Sequence, residues 1–149
     1  MPSVEVRTLD GQLMRVDALT SGKVALLALW APWCEACGKE LGALTRLEQS
    51  ATPRGAIVVA VAVGEPRAKV AEFVAGRQLR YPQLVDEQFH FADALGQRRV
   101  PATLVIDRSG RVTYAGGALD ADALAALRAA LAEEPPLTRA ARPLSALAN

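Results

Sequence analysis

Cys34 and Cys37 are the only thiols in 149 residues, and just Glu35 and Ala36 separate them. They follow the apolar run Val24–Leu29 and the linker Trp30-Ala31-Pro32-Trp33, and they open a stretch with helical spacing. A C-x-x-C where an apolar strand runs into a helix is the pattern of a thiol–disulfide exchange site. Residues i and i+3 on a first helical turn have Cβ atoms roughly 5–6 Å apart. A disulfide needs Cα atoms about 4.4–6.8 Å apart, so the pair closes with small side-chain rotations. So short a ring removes little chain entropy, which makes it a poor staple and leaves reversible chemistry as its use.

The helix start supplies the electrostatics. Unpaired N–H groups and the positive end of the helix dipole favour a thiolate on Cys34. Thiols placed in this way fall from ~8.5 into a range of about 3.5–7.5. Glu35 adds a negative charge next to Cys34 and opposes that effect. The expected couple is therefore reducing and not strongly oxidising. A structural zinc site is disfavoured, because it needs about four ligands and His90 is the single further soft candidate.

The bulk properties narrow the function classes. A chain of 149 residues suits one domain with a real core. With 17 basic and 16 acidic side chains the net charge is +1, which gives no electrostatic case for nucleic acid or acidic lipid. Apolar residues make up 51% and aromatics 5%, so the core is built of Val, Leu and Ala. No apolar run approaches the ~20 residues that cross a bilayer, and no charged-then-apolar leader opens the chain. The residues alone leave open a cytosolic protein and one whose leader has been removed.

The elements that position the cysteines follow from periodicity. Val4, Val6 and Leu9, a turn at Asp10-Gly11 and then Leu13–Val16 read as a hairpin in front of the main sheet. Val24–Trp30 is too apolar to alternate and reads as a central strand covered on both faces. Cys34 to about Ala51 reads as a helix with Cys37, Leu41, Leu44 and Leu47 inward, broken at Thr52-Pro53-Arg54-Gly55. Ile57–Val63 is a second buried strand, and Pro66 opens a helix facing inward through Val70, Phe73 and Val74. Tyr81–Val85 is a short extended piece that Pro82 marks as an edge, and a brief helix covers Phe89–Leu95. Thr103–Ile106 and Val112–Ala115 form a hairpin around Asp107-Arg108-Ser109-Gly110. Asp120 caps a last helix lined by Leu124, Leu127 and Leu131 and stopped by Pro135-Pro136. The expected organisation is one domain over residues 1–134 and a loosely attached extension over 135–149.

Val100-Pro101-Ala102-Thr103 completes the pattern. With the cysteine motif, the element order, Leu9-Asp10-Gly11, Gly22-Lys23 and Val63-Gly64-Glu65, the chain resembles the thioredoxin superfamily from about Val4 to Leu131. More narrowly it resembles the TlpA/ResA-like thiol–disulfide oxidoreductases. That resemblance implies an α/β fold: a mixed sheet flanked by helices, an N-terminal β-hairpin, and an αβ insert ahead of a cis-proline loop. It makes Cys34 the attacking sulfur, Cys37 the resolving one, and Pro101 a cis residue against the disulfide. Val100 then offers backbone groups to an extended substrate, and Trp33, Glu35 and Val100 are the candidate substrate-contacting residues. For Trp33 a purely packing role stands beside docking. Ala28 occupies the position where many thioredoxins keep a buried Asp. Glu65 sits where a glutamate near the pair is expected; it is read either as a partly buried proton relay to Cys37 or as the cap of the helix at Pro66. Ala36 departs from the proline usual in this slot.

The resemblance also implies no cofactor beyond the redox-active disulfide, a monomer, and an extracytoplasmic, periplasmic setting, with a cytoplasmic one as the alternative. The implied partners are protein disulfides, apocytochrome c among them, and a membrane thiol electron donor. The rivals are a thiol peroxidase, which needs a Thr missing from the residues before Cys34, and a copper-delivery domain, whose cysteines are spaced one residue wider and joined by a distal His. His90 and Phe89 read as packing residues, and Arg98 and Arg99 as solvated loop charges.

Overall fold

The computed structural model describes residues 1–133, so the expected extension over 135–149 and the boundary before it lie outside the described residues. All seven residues of β3 (Val24–Trp30) are buried, as a strand covered on both faces requires. Parallel β4 (Ala56–Val63) pairs with β3 on one side, and antiparallel β6 (Ala102–Ile106) pairs on the other. The sheet is completed by β1 (Glu5–Thr8), β2 (Leu13–Arg15), β5 (Gln83–Asp86) and β7 (Val112–Gly116), in the order β2-β1-β5-β4-β3-β6-β7.

Alternation along β3 divides the core in two. Val24, Leu26, Ala28 and Trp30 face α2 (Glu35–Ala51), α3 (Arg67–Val74) and α5 (Ala121–Ala132), which contribute Leu41, Leu44, Val70 and Leu127. Ala25, Leu27 and Leu29 face the short helices α1 (Val16–Thr20) and α4 (His90–Ala94), which contribute Val16, Phe91 and Ala92. This is the expected mixed α/β arrangement, with the N-terminal hairpin and an α3–β5 insert ahead of Pro101. Two anchors fix the insert. The buried Tyr81 hydroxyl donates to the Leu41 carbonyl of α2 at 3.0 Å. Asp86 accepts from the Phe91 and Ala92 N–H groups at 3.2 and 3.0 Å, holding the start of α4.

The structure corrects several expectations. Tyr81–Val85 is no edge: β5 lies between β1 and β4, because the N-terminal hairpin joins the sheet through β1–β5 pairing. Pro82 precedes the strand, and its carbonyl still accepts from Ala60 N–H at 3.0 Å. The second hairpin strand ends at Arg15, and Val16 instead starts α1. In α5 the fully buried positions are Ala123, Leu127 and Ala130, while Leu124 and Leu131 are half-buried at the margins of the stripe. His90 is exposed, and the packing role expected of it falls to Phe91.

Candidate active site

The chain leaves β3 at Trp30 and turns at once, with Cys34 N–H bonded to the Ala31 carbonyl at 3.0 Å. Cys34 is the N-cap of α2, in extended conformation at φ −91° and ψ 109°. Cys37 N–H bonds to the Cys34 carbonyl at 3.1 Å and starts the helix. The two cysteines form a disulfide with a Cα–Cα distance of 5.3 Å. Cys34 is half-buried, whereas Cys37 has no exposed surface. The sulfur a partner can reach therefore lies at the positive end of a 17-residue helix, bonded to one that no partner can reach directly.

The surroundings follow from the same register. Trp33 is 57% exposed beside the pair, and Glu35 is exposed in the first turn of α2. Leu29 pairs with Ala102 across the β3–β6 ladder, so Pro101 comes opposite the exit of β3. The Val100–Pro101 peptide is cis, both residues are half-buried, and Val100 packs against both halves of the core. Ala28 lies in the same core layer as Cys37, with 5% exposure and no carboxyl beneath the helix start.

Glu65 follows the end of β4 and is half-buried, with no hydrogen bond or ion pair among the described residues. It does not cap α3. The N-cap position belongs to Pro66, and the Arg67 N–H bonds instead to the Glu87 carboxylate, 20 residues away, at 2.9 Å. Gly64 before it needs to be glycine on two counts: its φ is +71°, and a Cβ there would collide with the Phe89 ring.

Sequence reasoning passed over Glu40. It is half-buried one helical turn beyond Cys37 and accepts from Leu119 N–H at 2.8 Å, which ties α2 to the loop before α5. That loop meets the proline segment, since a Cβ on Gly117 would sit 3.9 Å from the Pro101 carbonyl. The i+3 spacing from Cys37 was the available signal; the bond to Leu119 spans 79 residues and has none. Arg98 pairs with Asp93 at 3.1 Å on the surface, and Arg99 is exposed. Among the described residues no three His, Cys, Asp or Glu side chains cluster as metal ligands, and no helix is long and apolar enough to cross a membrane.

A family model described as the AhpC/TSA family matches residues 1–115. The thiol-disulfide oxidoreductase ResA of Geobacillus thermodenitrificans is 33% identical over 111 residues, 74% of this chain. The chain spans 63% of that relative's length. Among solved structures, dsbF of Mycobacterium tuberculosis, described in mixed oxidised and reduced forms, is 28% identical with a TM-score of 0.74, covering 87% of this chain and 95% of that one. A thiol:disulfide interchange protein DsbE from Chlorobium tepidum, 24% identical with a TM-score of 0.77 over 87% and 94% of the two chains, shares the thioredoxin-like fold.

Proposed function

From the premise that this chain belongs to the AhpC/TSA family, we propose that it is a thiol–disulfide oxidoreductase that reduces protein disulfides through Cys34 and Cys37. The observation that carries the reading is the asymmetry of the pair: a reachable Cys34 capping a helix, bonded to a fully buried Cys37.

In the reduced chain the Cys34 thiolate attacks one sulfur of a partner disulfide. The other partner sulfur leaves as a thiolate and takes up a proton. Cys37 then loses its proton and attacks the Cys34 sulfur of the mixed disulfide, and the second partner sulfur departs and is protonated in turn. The partner gains two electrons and two protons, and the chain is left with its Cys34–Cys37 disulfide. Helix-end N–H groups favour the attacking thiolate. Glu35 opposes them, and exchange is fastest where a sulfur is both ionised and strongly nucleophilic. Glu65 is the outer relay for the proton leaving Cys37. Trp33, Glu35 and the Val100 backbone make the docking rim, with an extended partner segment laid along the Pro101 loop.

The catalytic unit in this proposal is residues 1–134, working as a monomer. The proposed setting is extracytoplasmic, the proposed substrate is the cysteine pair of an apocytochrome c, and the proposed electron source is a membrane thiol protein. All three rest on the TlpA/ResA-like resemblance.

The test is a trap. Reduced Cys37→Ala, mixed with a peptide carrying one intramolecular disulfide and then quenched with an alkylating agent that caps the freed peptide thiol, gives an adduct at Cys34, and Cys34→Ala gives none. Absence of the adduct, or the same yield from both variants, overturns the assignment. Glu65→Gln slows turnover of the peptide with little loss of stability, and Glu40→Gln, run beside it, shows whether the carboxyl on α2 carries the proton instead.

A further inference from the structure

Both ends of the Gln83 side-chain amide, together with the indole N–H of Trp30, are buried without a protein hydrogen-bond partner among the described residues. Folded chains rarely leave such groups unpaired, and here they share one layer. Gln83 pairs with Ala60, and Ala60 with Ala28, so these three form one rung of the sheet; Val85, Ala62 and Trp30 form the next rung on the same face. Gln83 is 9% exposed and Trp30 is 1% exposed. Between them lie three alanines, Ala28, Ala60 and Ala62, whose side chains fill little of the space below α2.

The helix that carries the cysteines roofs part of the layer, and the Trp30 ring packs on Phe73 of α3 at 5.3 Å between ring centroids. Tyr81, two residues before Gln83, reaches the Leu41 carbonyl of α2. Two strand residues rise about 6.6 Å, which equals between four and five residues of helix at about 1.5 Å each. The helix α2 runs back against β5, so Gln83 comes level with Cys37, one turn before Leu41. Gln83 and Ala28 are two strand spacings apart, about 9.5 Å, and an amide extended over Ala60 spans much of that gap.

We infer that Gln83 and Trp30 hold buried water beneath Cys37, and that this water accepts the Cys37 proton when the mixed disulfide resolves. The Trp30 indole N–H donates to the water and the Gln83 carbonyl oxygen accepts from it, two polar partners that hold it and leave one lone pair for the Cys37 proton. The site stands where the chain has Ala28 and no carboxyl. Gln83 acts as a positioning residue: it orders the water, and the water meets the thiol. The second step rests on the exchange reading above. Its balance is simple: the Cys37 proton passes to water and outward, the new S–S bond forms, and the partner thiolate leaves.

The test has two arms. In the reduced wild-type protein, magnetisation transfer from water reaches the Trp30 indole proton and the Gln83 side-chain amide protons with the sign of a long-lived contact; no transfer to either overturns the site. In the second arm, an aromatic disulfide reagent, dithiobis(nitrobenzoate), releases one coloured thiolate when Cys34 attacks and a second when Cys37 resolves. In Gln83→Leu the second release slows about tenfold and its pH profile moves up by about one unit, which are equivalent statements for one proton, while the first release stays within about twofold of wild type. An unchanged second phase and profile overturn the relay. Wild-type protein that releases no coloured thiolate defeats the exchange reading itself, and the water transfer still decides the site.

Discussion

Oxidation of the cysteine pair shifts folding stability by an amount, and with a sign, that follow from its place in the fold. Closing a ring between residues three apart restricts the unfolded chain by about 2 kcal/mol in the chain-entropy treatment, against about 4.7 for a 100-residue loop. In the reduced folded protein, the N-terminus of α2 stabilises a Cys34 thiolate by about 0.3–1 kcal/mol, and the exposed Glu35 beside it cancels part of that. The balance leaves the oxidised protein more stable by about 1.5 kcal/mol. A thermodynamic cycle turns this into a potential: at 30 mV per 1.4 kcal/mol, the folded pair is about 30 mV more reducing than the same pair in the unfolded chain. Guanidinium unfolding of both forms, followed by circular dichroism at neutral pH, measures the difference. A reduced form more stable than the oxidised one by 1 kcal/mol or more would refute the reasoning, because it would mean that the fold stabilises the thiolate strongly, as oxidants do.

Other outcomes follow from single contacts. Glu87→Ala removes the carboxylate at the start of α3 and lowers stability by about 1 kcal/mol, while Glu65→Ala at the same helix start changes it by less than half as much; thermal melts of the pair check this. Tyr81→Phe deletes the buried hydroxyl bond to Leu41 and costs about 1 kcal/mol; burial also pushes the Tyr81 phenol up to about 12, so its ultraviolet titration lies well above that of a free tyrosine. Burial alone pushes the Asp107 carboxyl up, but the Ser109 hydroxyl and the N–H groups of Arg111 and Ser109 outweigh it and hold the carboxyl below its usual value. Asp17, bonded by Arg15, and Asp120, bonded by the Ala123 N–H, are lowered as well. A lowered carboxyl contributes stability that is present above its unfolded value of about 3.9 and is lost as pH falls through the folded one. Denaturant midpoints therefore hold down to about pH 4 and fall below it, and Asp107→Asn flattens part of that fall.

Much of the site was legible because its causes are local. The run Val24–Trp30 could only be a doubly covered strand, and the helix that follows carries the stripe that buries Cys37 and leaves Cys34 near the surface. What escaped reading depends on partners far along the chain. Pro82 suggested an edge because it lacks an N–H, yet the strand starts one residue later and the N-terminal hairpin closes its open side. Glu65 suggested a cap by adjacency, and Glu87 takes the role through a fold-made contact. Gln83 carries no signal of its own within the extended piece Tyr81–Val85; only the β3–β4–β5 register shows it buried on the cysteine side of the sheet. The bond between Glu40 and Leu119 joins two elements whose proximity no periodicity announces.

The central claim is a reversible two-electron couple at Cys34 and Cys37. Equilibrating the protein with graded glutathione mixtures, quenching in acid and counting free thiols by mass-tagged alkylation tests it directly. The account predicts two populations only, with zero and two free thiols, interchanging fully and reproducibly from either direction. A disulfide that stays closed at every glutathione ratio, or thiols that never close, would contradict it.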